Sequence, residues 1–146
     1  MIFKRLSDLI LLYLDISSNA LQSFPDLIFK VMKKVIVQDT NYDLLETMTI
    51  ILEQASYEVL PVVHYRDVIS TIRSFSPHIV LLDFRLSGEE SAALCIIIKK
   101  TFPQIAVIAL SCNLNIHLEY VKAGFDDYIS KPFDIDHLFG VLQKFV

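Results

Sequence analysis

From Lys33 onward, short apolar runs alternate with amphipathic stretches, and this alternation constrains the fold more than any other feature of the chain. The runs are Val35-Ile36-Val37, residues 57–63, 79–82 and 105–110, and the short Tyr128-Ile129. The first, third and fourth lack polar alternation, as parallel strands do when crossover helices cover both faces of their sheet. The pattern predicts an α/β fold, a doubly wound five-stranded parallel sheet with helices on both faces.

The intervening stretches predict five helices. Leu44, Leu45, Met48, Ile51, Leu52 and Ala55 recur at helical spacing after Asn41 and Asp43, residues suited to a helix start. Val68, Ile69, Ile72 and Phe75 mark a second helix ended by Ser76-Pro77, and residues 93–98 lie in a third that Thr101-Phe102-Pro103 terminates. Leu118, Tyr120 and Val121 suggest a short fourth. The fifth starts from Asp134 as N-cap and carries Ile135, Leu138, Phe139, Val141, Leu142, Phe145 and Val146 on a broad apolar face. Of the consecutive Ile96, Ile97 and Ile98, one is expected to point away from the core.

A chain of 146 residues suffices for one domain with a sizeable core, and 53% hydrophobic against 21% charged residues excludes a disordered chain. A net charge of −4 with no Lys/Arg-rich block argues against nucleic-acid binding, which needs clustered cations. Residues 1–31 do not continue the βα pattern, and the domain is expected over 32–146. Two readings of the first 31 residues stay open: translation begins at Met32, or the segment is a real amphipathic extension with Leu6, Leu9, Ile10, Tyr13, Leu14, Phe24, Leu27 and Ile28 available for packing. Its apolar run, residues 9–14 between Asp8 and Asp15, is far below the roughly 20 residues of a membrane span. Lys4 and Arg5 before that run faintly resemble a secretory signal, but the flanking acids oppose it. Cys95 and Cys112 have no metal or redox spacing and read as buried thiols, which fits a cytoplasmic protein. The four histidines show no ligand pairing, and Asp126 and Asp127 read as solvating the turn before the last strand.

Ligand sites of a doubly wound sheet form outside the carboxyl ends of its strands. Asp39 ends the first strand, Asp83 the third and Ser111 the fourth, while Lys131 and Pro132 follow the fifth. Two carboxylates can bind a hard divalent cation, a hydroxyl can donate to a phosphoryl oxygen, and an ammonium can neutralise its charge. Together they describe a phosphoryl-transfer pocket in which an aspartate becomes an acyl phosphate and Mg2+ screens the charge repulsion. Singly, each residue has a plainer reading: Asp83 a cap or turn residue, Lys131 a surface lysine, Tyr128 a packed strand aromatic. Their coincidence at matching strand ends carries the functional one.

Over Lys33 to Val146 the sequence resembles the receiver domains of bacterial response regulators, and the chemotaxis-type single-domain regulators in particular. The motifs are Val35-Ile36-Val37-Gln38-Asp39, Ile79-Val80-Leu81-Leu82-Asp83-Phe84-Arg85-Leu86, Val107-Ile108-Ala109-Leu110-Ser111-Cys112 and Gly124-Phe125-Asp126-Asp127-Tyr128-Ile129-Ser130-Lys131-Pro132-Phe133. The resemblance implies a flavodoxin-like receiver fold in which Asp83 accepts the phosphoryl group. Asp39, Asp83 and the backbone carbonyl of Arg85 would hold Mg2+, and Ser111 and Lys131 would grip the phosphoryl oxygens. Tyr128 would move with Ser111 as an aromatic switch that reshapes the face of helix four, strand five and helix five. The implied partners are a sensor histidine kinase or histidine phosphotransfer protein, a downstream protein target, and a second copy through that face. Such a protein is a phosphoacceptor with weak autophosphatase activity rather than an enzyme, and the chain is too short to add a conventional output domain.

Five departures qualify the resemblance. Gln38 stands where the family has a first acidic residue; its amide can still accept from a metal-bound water but adds no charge, so Mg2+ affinity should fall. Ser87 replaces a common Pro, Ser91 a common Gly, and Cys112 a smaller residue. The stretch from Ser111 to Gly124 is about two residues short, which predicts an abbreviated fourth helix. Two rivals follow: a degenerate receiver acting as a phosphorylation-independent interaction module, and an aspartyl-phosphate hydrolase on another α/β fold. The second would need an acid two residues after the nucleophile, where Arg85 stands.

Overall fold

The computed structural model describes residues 32–146, and the two readings of the first 31 residues fall outside the described part. Five βα units follow one another: β1 Lys33–Gln38, α1 Tyr42–Gln54, β2 Tyr57–Val62, α2 Val68–Phe75, β3 Ile79–Asp83, α3 Glu89–Thr101, β4 Ala106–Ser111, α4 Ile116–Glu119, β5 Asp127–Ser130 and α5 Ile135–Leu142. The strands are all parallel, in the order β2-β1-β3-β4-β5. Because the chain reverses its direction of winding after β2, β1 and β3 lie side by side at the switch point, and their carboxyl ends open on the crevice where such folds bind ligands.

Strand pleating divides the core in two. Val35 and Val37 of β1, Ile79 and Leu81 of β3 and Ile108 and Leu110 of β4 pack against Leu45, Met48 and Leu52 of α1 and Leu138, Val141 and Leu142 of α5. Ile36, Val80, Leu82, Val107 and Ala109 face the other way, onto Val68 and Ile72 of α2, Leu94, Cys95 and Ile98 of α3, and Ile116 of α4. Each fully buried Ile or Leu contributes roughly 1.5–3 kcal/mol against the entropy of ordering the chain.

The helix starts follow side-chain chemistry. Asn41 caps α1 by accepting from the Leu44 N–H at 3.2 Å, and Asp134 caps α5 by accepting from the Asp136 N–H at 3.0 Å. Ser76 ends α2 at φ 53°, with its N–H bonded to the Ile72 carbonyl.

Several expectations are corrected. Ile96 and Ile97 both point to solvent and Ile98 alone is buried, because an α-helix turns about 100° per residue and α3 covers the sheet with a narrow stripe. The fourth helix is a single turn whose buried anchor is Ile116, whereas Leu118 and Val121 are exposed. Ile135 and Val146 are also exposed. Cys95 is buried and Cys112 is not. Asp126 does more than solvate a turn: its carboxylate pairs with Lys99 at 2.8 Å and accepts from the Val107 N–H at 2.8 Å. Asp127 opens β5 and pairs with Lys144 at 2.8 Å. Among the described residues, no helix is long and apolar enough to cross a membrane.

Candidate functional site

A cavity of about 810 Å³ lies over the carboxyl ends of β1, β3 and β4, lined among others by Asp39, Tyr65, Asp83, Arg85, Cys112 and Lys131. Asp83 is the last residue of β3 and only 1% exposed, so its carboxylate is held by the sheet rather than by a mobile loop. Asp39 follows β1 directly. Its N–H donates to the Val62 carbonyl at 3.1 Å, and its Oδ1 accepts from the Asn41 N–H at 2.8 Å, while its second oxygen accepts from Lys131.

Lys131 joins the two acids. Its Nζ stands 2.8 Å from Asp39 Oδ2 and 2.7 Å from Asp83 Oδ1, and its backbone N–H donates to the Ser111 carbonyl at 2.7 Å, locking the end of β5 to that of β4. Burial pulls the ammonium down, but the hydrogen bonds to Asp39 and Asp83 outweigh it and hold Lys131 above its ordinary value. Burial pushes the Asp83 carboxyl up, and Lys131 counteracts that only in part. The two directions are compatible: one cation shared between two acids stays charged, while the more deeply buried acid remains the costlier charge to keep.

The other expected site residues are placed differently. Ser111 is fully buried, and its hydroxyl donates to the Phe84 carbonyl at 3.3 Å and accepts from the Asn113 N–H at 2.9 Å. It therefore sits beside the acids with its hydroxyl bonded to the neighbouring loop. Tyr128 lies outside the cavity, its ring 5.0 Å from that of Tyr120. Gln38 has both ends of its amide engaged in the protein: Oε1 accepts from the Asp83 N–H and Nε2 donates to the Val63 carbonyl. Arg85 contributes more than a carbonyl, since its guanidinium reaches back to Asp83, with Nε 3.1 Å from Oδ2, and donates from Nη1 to Thr40 Oγ1 at 3.0 Å.

Tyr65 is the site residue that sequence reasoning missed. It begins the 3-10 turn Tyr65–Asp67 before α2, and its hydroxyl donates to the backbone carbonyl of Asp83. Burial, then the nearby Asp83, pushes its phenol up to about 12, so it remains a donor throughout the neutral range. No periodicity marks it, because a tyrosine at the edge of a turn reads the same whether it faces solvent or a site.

The donor set can be tested for a divalent cation. Asp83 Oδ2 is buried with no hydrogen-bond donor aligned on it, since Arg85 approaches it closely but off the hydrogen-bond direction. A buried carboxylate oxygen left in this state suits a hard cation. Among the described residues, no three His, Cys, Asp or Glu side chains come together. The side-chain set is therefore two carboxylates, which suits Mg2+, a cation that keeps several of its own waters; the Arg85 carbonyl accepts from the Gly88 N–H at 2.8 Å.

The fold and this strand-end cluster define a doubly wound α/β module with two acids and a lysine at its switch point, and comparison with known proteins names it. The profile of the response regulator receiver domain matches residues 35–143, and the chain belongs to that family. Among curated proteins, the DNA-binding transcriptional regulator NtrC of Proteus hauseri is 30% identical over 83 residues, which are 56% of this chain and 18% of that protein. The chain thus spans less than a fifth of that relative. A response regulator from Thermotoga maritima superposes with TM-score 0.71 at 28% identity, covering 79% of this chain and 98% of that one. The chemotaxis response regulator CheY4 of Vibrio cholerae has the same fold, with TM-score 0.70 at 17% identity over 80% of this chain and all of that one.

Proposed function

We propose that the chain is a phosphoryl-accepting switch of a two-component pathway, phosphorylated on Asp83 and signalling by protein contact. The observation that carries this reading is the Lys131 ammonium held within 2.8 Å of two strand-end carboxylates at the switch point of the sheet. In the step itself an Asp83 carboxylate oxygen attacks the phosphorus of a phosphohistidine on a kinase or phosphotransfer protein; the P–O bond forms as the P–N bond breaks, and the imidazole leaves. Lys131, already placed on Asp83, meets the charge of the arriving phosphoryl oxygens. Ser111 would release Phe84 to bond a phosphoryl oxygen, freeing the loop after β4 to move and Tyr128 to leave its packing on Tyr120 and turn inward. Asp39, Asp83 and the Arg85 carbonyl would hold Mg2+, which when bound supplies charge neutralisation.

In this reading the protein is not an enzyme beyond slow hydrolysis of its own acyl phosphate, and it works in the cytoplasm. The relatives' DNA binding is not extended to it, since its −4 charge and lack of a cationic block supply no phosphate-backbone footprint. The face of α4, β5 and α5, with exposed Leu118 and Val121, would meet the downstream protein or a second copy.

The test is intact-mass measurement after incubation with Mg2+ and acetyl phosphate: one phosphoryl group is gained by the wild type and none by Asp83→Asn. One observation favours the degenerate receiver as a second reading, namely that Gln38 supplies an amide, bonded at both ends within the protein, where a third acid would strengthen the metal site. No mass gain with excess donor, together with no change in tyrosine fluorescence on adding beryllofluoride, would establish that alternative.

A further inference from the structure

The floor of the cavity balances its own charge. Asp39 and Asp83 are faced by two cations, Lys131 and Arg85, and Gln38 beside them is neutral. Glu89 and Glu90 also line the cavity but are exposed, where water screens them. The two cations are held differently. Lys131 is mostly buried and hydrogen-bonded to both acids, whereas the Arg85 side chain is 52% exposed and lies against Asp83 Oδ2 without a hydrogen bond to it. A second contact, Nη1 to Thr40 Oγ1 at 3.0 Å, keeps the guanidinium folded over the acids instead of extended into water.

From this geometry we infer that the Arg85 side chain is a built-in competitor for the divalent cation, occupying the coordination space of Asp83 Oδ2 in the metal-free protein and swinging to solvent when metal binds. The inference rests on the proposed Mg2+ site and assigns to it a regulatory residue. The unaligned oxygen is the one that a metal would take, and the group nearest to it is half exposed and tethered at its far end by a single hydroxyl. Displacement costs one charge contact and one hydrogen bond to a hydroxyl, both recoverable by the guanidinium in water, while leaving Arg85 in place would set a guanidinium against a dication, a repulsion that a partly dry pocket does not screen away. Arg85 thereby makes metal occupancy, and with it readiness for phosphorylation, dependent on cation concentration. Its backbone carbonyl is the same in every side-chain variant, so the ligand role and the competitor role separate experimentally.

The probe is Mn2+, titrated into the full chain at low salt and followed by the electron paramagnetic resonance of the free ion. Arg85→Ala is expected to bind at least about tenfold more tightly than wild type, on the scale of one half-exposed charge contact at a nearly water-like dielectric. Thr40→Val, which removes only the tether, is expected to tighten binding by a smaller factor, and Asp39→Asn to weaken it in either background. A tightening cannot arise from damage to the fold, so a gain of affinity in Arg85→Ala supports the proposal even where the wild type binds too weakly to measure. Equal or weaker binding by Arg85→Ala beside a wild type that binds overturns the competitor role and leaves the metal site standing. Absence of binding in both proteins overturns the metal site and the inference together.

Discussion

Gln38 and Asp83 are bonded across the junction of β1 and β3: the Gln38 side-chain oxygen accepts from the Asp83 backbone N–H at 3.2 Å. The same amide donates to the Val63 carbonyl at 3.0 Å, so one neutral side chain that is 1% exposed ties the Asp83 strand to the end of β2. A carboxylate could keep the first bond but not the second, because it has no donor when ionised.

Gln38→Glu is therefore expected to cost about 1–3 kcal/mol of stability at neutral pH in the absence of metal, from an unpaired Val63 carbonyl and a third buried negative charge. Divalent cations should recover much of that loss in the variant while stabilising the wild type less. Urea unfolding with EDTA and with millimolar Mg2+ compares the two; equal losses in both conditions would rule out position 38 as a determinant of metal affinity.

Lys131→Met removes the cation shared by Asp39 and Asp83 and is expected to destabilise the protein by about 3 kcal/mol at pH 7, since it strands buried charges. The pH dependence has a definite sign. Burial holds the Asp83 carboxyl above its ordinary value, so the fold favours its protonated form. That contribution is complete below the unfolded value of about 3.9 and is lost as pH rises through the folded value. Without Lys131 the folded value rises further, so the gap between variant and wild type should narrow as pH is lowered from 7 towards 5. A gap that widened on acidification would contradict the buried pairing.

Gly88 stands before α3 at φ 74°, and a Cβ added there would lie 2.0 Å from Cζ of Phe84. Phe84 is itself buried, edge-on to Phe125 with ring centroids 5.8 Å apart, and has little room to yield. Gly88→Ala is expected to lose at least about 2 kcal/mol, combining left-handed strain with the clash. A shift of the urea midpoint near zero would mean that the loop after β3 is free to adopt another path.

The strand ends were legible because buried parallel strands are written as unbroken apolar runs, so a polar residue closing one is conspicuous; Asp39, Asp83, Ser111 and Lys131 stand out for that reason. What the pattern could not reveal is direction. Ser111 closes β4 as expected, yet its hydroxyl is bonded to the Phe84 carbonyl, and the Arg85 guanidinium folds back on Asp83 in a way no spacing encodes. Ile96 and Ile97 carry the same apolar letter as Ile98 and differ only in helical phase. Asp126 and Tyr65 escaped because their partners, Lys99 at 27 residues' separation and the Asp83 carbonyl at 18, are brought near by the fold and not by local sequence.

His78 makes the opposite end of the sheet sensitive to acid. Its Nδ1 accepts from the Lys34 backbone N–H at 3.0 Å, an interaction open only to the neutral ring. Burial first, then Lys33 and Lys34, lower its pKa below the ordinary value. For a base with a depressed folded pKa, the stabilisation is complete above the unfolded value of about 6.5 and is lost as pH falls through the folded one. The wild type should therefore lose more stability between pH 7.5 and pH 5 than His78→Asn, whose amide oxygen can accept from Lys34 without titrating. Urea midpoints at the two pH values measure the difference, and parallel losses in both proteins would assign the acid sensitivity to other groups.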